Sequence, residues 1–109
     1  MKRPRPEPSR YSVYVIELRP EARIKRGCPP PNGRPAVYVG QTADTPEERF
    51  AEHLAGYRAA RIVRNYGVRL RPRLYRNYGP YPTREEAVAA EARLAEKLRR
   101  RGFCVFGGH

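Results

Sequence analysis

The 109-residue chain has no tryptophan, one methionine, one glutamine, two cysteines and only three lysines. Cys28 and Cys104 are too few and too far apart to build a metal cluster by themselves. Two free thiols are the expected state, with a disulfide as the alternative. No apolar run approaches the roughly 20 residues that a membrane-spanning helix needs, and no secretory signal pattern occurs. These absences point to a soluble, cytoplasmic protein with no membrane partner. Acidic residues are also scarce, 11 against 23 Lys and Arg, and none occurs between Glu52 and Glu85.

What the chain does contain is arginine, 20 of them, and a formal net charge of +12. Such a charge repels itself on folding, and a polyanion relieves it; nucleic acid is the first candidate partner. Arginine suits bidentate phosphate contacts, although a GC-rich genome would produce the same bias. With 39% hydrophobic and 31% charged residues the chain should fold, and its length suits one modest core.

Residues 1–10 form a basic, proline-broken tail expected to be disordered, and residues 11–109 a single domain. Tyr11–Leu18 is β-branched and aromatic and predicts the first strand. The stretch 19–35 carries no periodicity and reads as an extended hairpin loop. Ala36–Gly40 predicts a second strand, followed by a glycine turn. Thr45, Pro46 and Glu48 then make a capping box with proline at the first helical position. In that helix Phe50, Ala51 and Leu54 share an apolar arc, while Arg49 and His53 align along its flank, where core meets water. A cation and an imidazole stacked there suggest an anionic ligand. Tyr57 to Asn65 either continues the helix or forms a second short one. Val68–Tyr75 predicts a third strand, with Pro72 placing it at an edge or bulge. Thr83 and Glu86 form a second capping box opening a helix to about Arg101, and Phe103–Phe106 is a short strand or packed tail. The fold class is mixed α/β (α+β), a small three-stranded, mostly antiparallel sheet flanked by helices.

In the long helix Ala87, Glu91, Leu94 and Leu98 fall on one stripe, with Val88 and Ala95 beside it. A carboxylate inside an apolar stripe needs a partner, because burying it as a lone ion costs several kcal/mol or more. It is either paired with an arginine, such as Arg49, or it binds a metal. In the acid-free stretch, Arg58, Arg61, Arg64, Arg69, Arg71, Arg73 and Arg76 alternate with tyrosines. This is the expected nucleic-acid-binding surface, guanidiniums for phosphates and phenols for bases or sugars.

Ser12-Val13-Tyr14, Tyr38-Val39-Gly40, Arg49, His53 and Glu91, in that order, resemble the GIY-YIG nuclease domain. Ser12 stands in place of the family's first glycine, and Val13 and Val39 in place of isoleucines. Gln41 stands where a lysine is often found. The segment between the two motifs is longer than usual, and the family's asparagine near the end of the domain has no clear counterpart. The resemblance implies metal-dependent phosphodiester hydrolysis on a small mixed sheet. It implies Glu91 as the metal ligand, Mg²⁺ or Mn²⁺, and Arg49 as the group that holds the scissile phosphate. Tyr14 and Tyr38 would lie near the attacking water, with one of them or His53 helping to deprotonate it. Both tyrosines fall on even positions of facing strands and project from one face.

The expected function is therefore a metal-dependent endonuclease acting on DNA, with RNA also compatible. The alternative is a non-catalytic nucleic-acid-binding module of the same fold. Sequence specificity would come from the nuclease fold itself or from a protein partner.

Overall fold

The computed structural model describes residues 10–25, 28 and 33–108. The basic tail up to Ser9 lies outside the described residues. Four strands form one sheet in the order β3-β1-β2-β4. β1 (Ser12–Leu18) and β2 (Ala36–Thr42) are the central antiparallel pair, with Tyr14 opposite Gly40 and Ile16 opposite Tyr38. β3 (Gly67–Leu70) adds antiparallel to β1, and β4 (Cys104–Gly107) adds parallel to β2. The sheet thus has four strands where the sequence predicts three. The fourth is the apolar stretch Phe103–Phe106, pulled into register when the long helix returns the chain to the sheet edge.

Period-two alternation divides the sheet's two faces between two cores. Val13, Val15, Val37, Val39 and Val105 pack under α4 (Arg84–Arg100), against Ala87, Ala90, Leu94, Ala95 and Leu98. On the opposite face Tyr14, Ile16, Leu18, Ala36 and Cys104 meet Val63 of α2 (Arg61–Tyr66) and Phe50 of α1 (Pro46–Ala55). Each fully buried aliphatic side chain is worth about 1.5–3 kcal/mol relative to exposure. The sheet is therefore held from both sides, and its register is strongly specified.

Both predicted helix starts occur. Thr45 Oγ1 accepts from the Glu48 N–H, and the Glu48 carboxylate accepts from the Thr45 N–H, closing the box. At α4, Thr83 Oγ1 accepts from the Glu86 N–H, while the Glu86 carboxylate takes the Thr83 hydroxyl.

Four local expectations change. The loop 19–35 contains a 3-10 helix, Pro20–Lys25, whose Ala22 is buried in the core. The third strand stops at Leu70, because Pro72 takes the first position of a one-turn helix, α3 (Pro72–Tyr75), instead of sitting in the strand. β2 runs past Gly40 to Thr42, two residues beyond the predicted strand end. Cys28 and Cys104 form a disulfide, with Cα atoms 5.2 Å apart, rather than two free thiols. Parallel pairing sets Cys104 beside Ala36, at the point where the 19–35 loop re-enters the sheet. No helix among the described residues is long and apolar enough to cross a membrane.

Candidate active site

Tyr14 and Tyr38 do project from one face of the central hairpin, with ring centroids 6.4 Å apart. Gly40, across from Tyr14, is what admits the phenol. A Cβ at Gly40 would lie 2.5 Å from Tyr14 Oη and 3.1 Å from the Tyr38 ring. The glycine is needed here for close approach.

α1 lies over these two rings in a rotation that the apolar-arc reading missed. Its inward side carries Arg49, Phe50 and His53, and His53 is 1% exposed while Leu54 is 50% exposed. His53 is thus buried rather than on a flank. Its ring meets Tyr38 edge to face at 5.6 Å, and its Nε2 lies 3.0 Å from Tyr14 Oη.

The Ala60 N–H donates to His53 Nδ1 at 3.1 Å. A backbone N–H can only donate, so Nδ1 must be the bare, accepting nitrogen. The proton of the neutral ring then sits on Nε2 and is donated to the Tyr14 oxygen. Burial, reinforced by the Arg49 charge, brings the His53 pKa down to about 4, so the ring is neutral at ordinary pH. Burial pushes the Tyr14 phenol far above its usual range, and the Tyr38 and Glu91 charges act in the same direction; the Arg49 guanidinium opposes them. Tyr38 is also raised, by burial first and then by Glu91, against Arg49.

Arg49 is held by the turn that follows its own helix. Its guanidinium donates to Glu52 Oε1 at 3.0 Å, to the Tyr57 carbonyl at 3.3 Å and to the Arg58 carbonyl at 2.6 Å. Glu91 comes from α4, in the layer on the other side of the sheet, where it is 8% exposed. It lies on the buried stripe as predicted, with Ala90 filling the place expected of Val88, which is 40% exposed.

Among the described residues no group of three or more His, Cys, Asp or Glu could hold a metal ion. A nearly buried single carboxylate does fit Mg²⁺, a hard cation that keeps several waters and takes one or two carboxylates.

The arginine run is not one patch. Arg58 sits at the turn after α1, and Arg61 and Arg64 are exposed on α2. Arg69, Arg71 and Arg73 surround a shallow cleft of about 370 Å³ at the β3–α3 junction, and Arg76 follows, exposed. Arg69 and Arg71 also have a counter-charge that the acid-free stretch conceals. Glu17 Oε1 accepts from Arg69 Nε at 3.0 Å and from an Arg71 terminal nitrogen at 2.8 Å. Burial acts to raise the Glu17 pKa, but these two bonds outweigh it and hold the carboxyl low. The partner is missed in sequence because it lies on the neighbouring strand. A second cleft, about 430 Å³, opens beside Arg49 and is lined by Gln41, Tyr57, Arg58 and Arg84 among others. Gln41, Tyr57 and Arg84 lie in separate segments of the sequence, and only the fold brings them to this cleft.

The family model of the GIY-YIG catalytic domain matches residues 11–103. The chain belongs to the GIY-YIG family. No curated protein and no solved structure matches it. Membership carries nuclease activity on nucleic acid as the general property of the family, and the observed mixed sheet with flanking helices agrees with a GIY-YIG domain.

Proposed function

We propose that this GIY-YIG domain is a divalent-metal-dependent endonuclease that hydrolyses DNA phosphodiester bonds, with Tyr14, Tyr38, Arg49, His53 and Glu91 as its working residues. The observation that carries the reading is the chain of bonds from the Ala60 N–H through the His53 ring to Tyr14 Oη. A buried, neutral imidazole with both nitrogens committed is poorly placed to accept a proton. It is well placed to hold a phenol, which makes His53 a positioning residue. With His53 donating to it, the Tyr14 oxygen keeps its own proton free for an oxygen in front of it. Once that proton has passed to bulk solvent, the Tyr14 phenolate would take one proton from the attacking water and return to the neutral phenol, with the His53 N–H and the Arg49 charge holding the anion meanwhile.

Arg49 adds a fixed positive charge for the phosphate undergoing attack, already aimed by Glu52 and two carbonyls. Glu91 would hold Mg²⁺ or Mn²⁺, which when bound supplies the Lewis-acid charge that the extra-negative transition state requires. Arg61, Arg64, Arg73 and Arg76, exposed around the same molecule, supply phosphate contacts with no sequence preference.

Glu91→Gln tests the assignment. It keeps the size of the side chain and removes the charge. Cleavage in Mg²⁺ or Mn²⁺ should fall by at least about a hundredfold, while DNA affinity holds or rises and the melting temperature changes little. Unfolding by Glu91→Gln, with a wild type that binds DNA but cuts none in any divalent metal, would leave a non-catalytic binding module.

A further inference from the structure

We propose that the cleft beside Arg49 is a subsite for one unstacked nucleotide, with Tyr57 as its stacking platform and Arg58 and Arg84 as its phosphate contacts. The proposal rests on the nuclease reading for its biological sense, but its geometry is independent of any cleavage step.

Tyr57 is 57% exposed at the rim of this cleft, an aromatic ring left in water on a small domain. The Arg58 guanidinium carbon lies 5.5 Å from the centre of its ring, so a flat cation and a flat ring are presented together. Their backbone is held in an uncommon form. Arg58 has φ +47°, in the left-handed region that residues other than glycine rarely enter. The carbonyls of Tyr57 and Arg58 are the two that Arg49 grips. One guanidinium therefore both faces the tyrosine site and fixes the turn that carries Tyr57 and Arg58.

The cleft's chemistry suits a nucleotide. Its volume of about 430 Å³ falls within the range of small-molecule sites, roughly 300–1,000 Å³. Its wall carries Arg49, Arg58 and Arg84 against Asp44 and Glu52, a balance that leaves room for about one phosphate charge and not a polyphosphate. Gln41 also lines it and adds a polar amide to the wall. A base can reach Tyr57 only if it has left its stack, so the subsite favours single-stranded, flapped or distorted DNA over an intact duplex.

The chain has no tryptophan, so Tyr57→Trp installs a single indole at the rim that can be excited apart from the tyrosines. The variant is titrated, without divalent metal, with a single-stranded oligonucleotide and with the blunt duplex of the same sequence. The single strand should quench its emission strongly and the duplex should leave it nearly unchanged. In parallel, Tyr57→Leu should weaken single-strand binding by about tenfold, the order expected for losing one base–aromatic stack, and duplex binding by less than about twofold. Emission that stays constant while the oligonucleotide binds would overturn the subsite, as would equal losses on both substrates. A wild type that cuts nothing while the Tyr57→Trp signal is quenched removes the nuclease reading and leaves the subsite standing.

Discussion

Gly40 and Tyr14 face each other across the β1–β2 ladder, and the Tyr14 hydroxyl lies 2.5 Å from where a Gly40 Cβ would be. A methyl group there must displace the phenol, since the strand backbone at Gly40 is fixed by its pairing with β1. Gly40→Ala should therefore cost about 1–3 kcal/mol of stability and reduce cleavage by more than about tenfold, with DNA affinity retained. Thermal melts beside single-turnover cleavage check this; full activity in Gly40→Ala would mean that the placement of Tyr14 is immaterial.

His53 predicts a pH dependence of stability. Its folded pKa, about 4, is below the unfolded value of 6.5. Between these values the unfolded chain binds more protons, so stability rises with pH across that window. The contribution is complete above about pH 6.5 and is lost as pH falls toward 4. Melting temperatures of wild type should drop over that interval, and those of His53→Gln should show a shallower slope from pH 6.5 to 4. A parallel slope in the variant would assign the effect to other groups.

Glu17 already occupies the Arg69 and Arg71 guanidiniums, and a nucleic-acid phosphate binding there would have to compete with it. Glu17→Gln should release both guanidiniums, at a stability cost of about 1 kcal/mol for a partly exposed ion pair. DNA affinity at low salt should rise, and the salt dependence should steepen because more counterions are displaced on binding. Because the Glu17 pKa is held low, the pair's contribution to stability persists above the unfolded carboxylate pKa and fades only as pH falls through the folded value. Salt titrations of wild type and Glu17→Gln that superimpose would place Arg69 and Arg71 outside the DNA surface.

The Cys28–Cys104 bond closes a 76-residue separation and ties the 19–35 loop to β4. A crosslink of that span is worth about 2–4 kcal/mol through the unfolded state. A thiol reductant should lower the melting temperature of wild type by several degrees and leave Cys28→Ser unchanged. A reductant response that persists in Cys28→Ser would assign the effect elsewhere.

Much of this molecule was legible in the chain because the relevant forces act over a few residues. The Thr45–Glu48 box and the Thr83 cap are local hydrogen bonds. The even spacing of Tyr14 and Tyr38 follows from the pleat, and the place of Glu91 on the buried face of α4 follows from the helical period. The arginine charge was equally plain. Less legible was the end of β3, because a proline in an apolar run fits an edge strand as well as the first turn of a helix.

The sequence by itself therefore determined the two central strands, the starts of α1 and α4, the faces of Tyr14, Tyr38 and Glu91 within their own elements, and the ordered series that marks a GIY-YIG domain. Tertiary structure alone decided which of those faces meet. The docking angle of α1 buried His53 and left Leu54 in water, and it joined Tyr14 to a residue 39 positions away. Sheet pairing gave Arg69 the carboxylate of Glu17, 52 positions distant, and opened Gly40 to the Tyr14 ring. The return of the chain after α4 added β4 and brought Cys104 to Cys28. Periodicity encodes the direction of a side chain relative to its own backbone, whereas the identity of its neighbour depends on how whole elements pack to fill two cores at once.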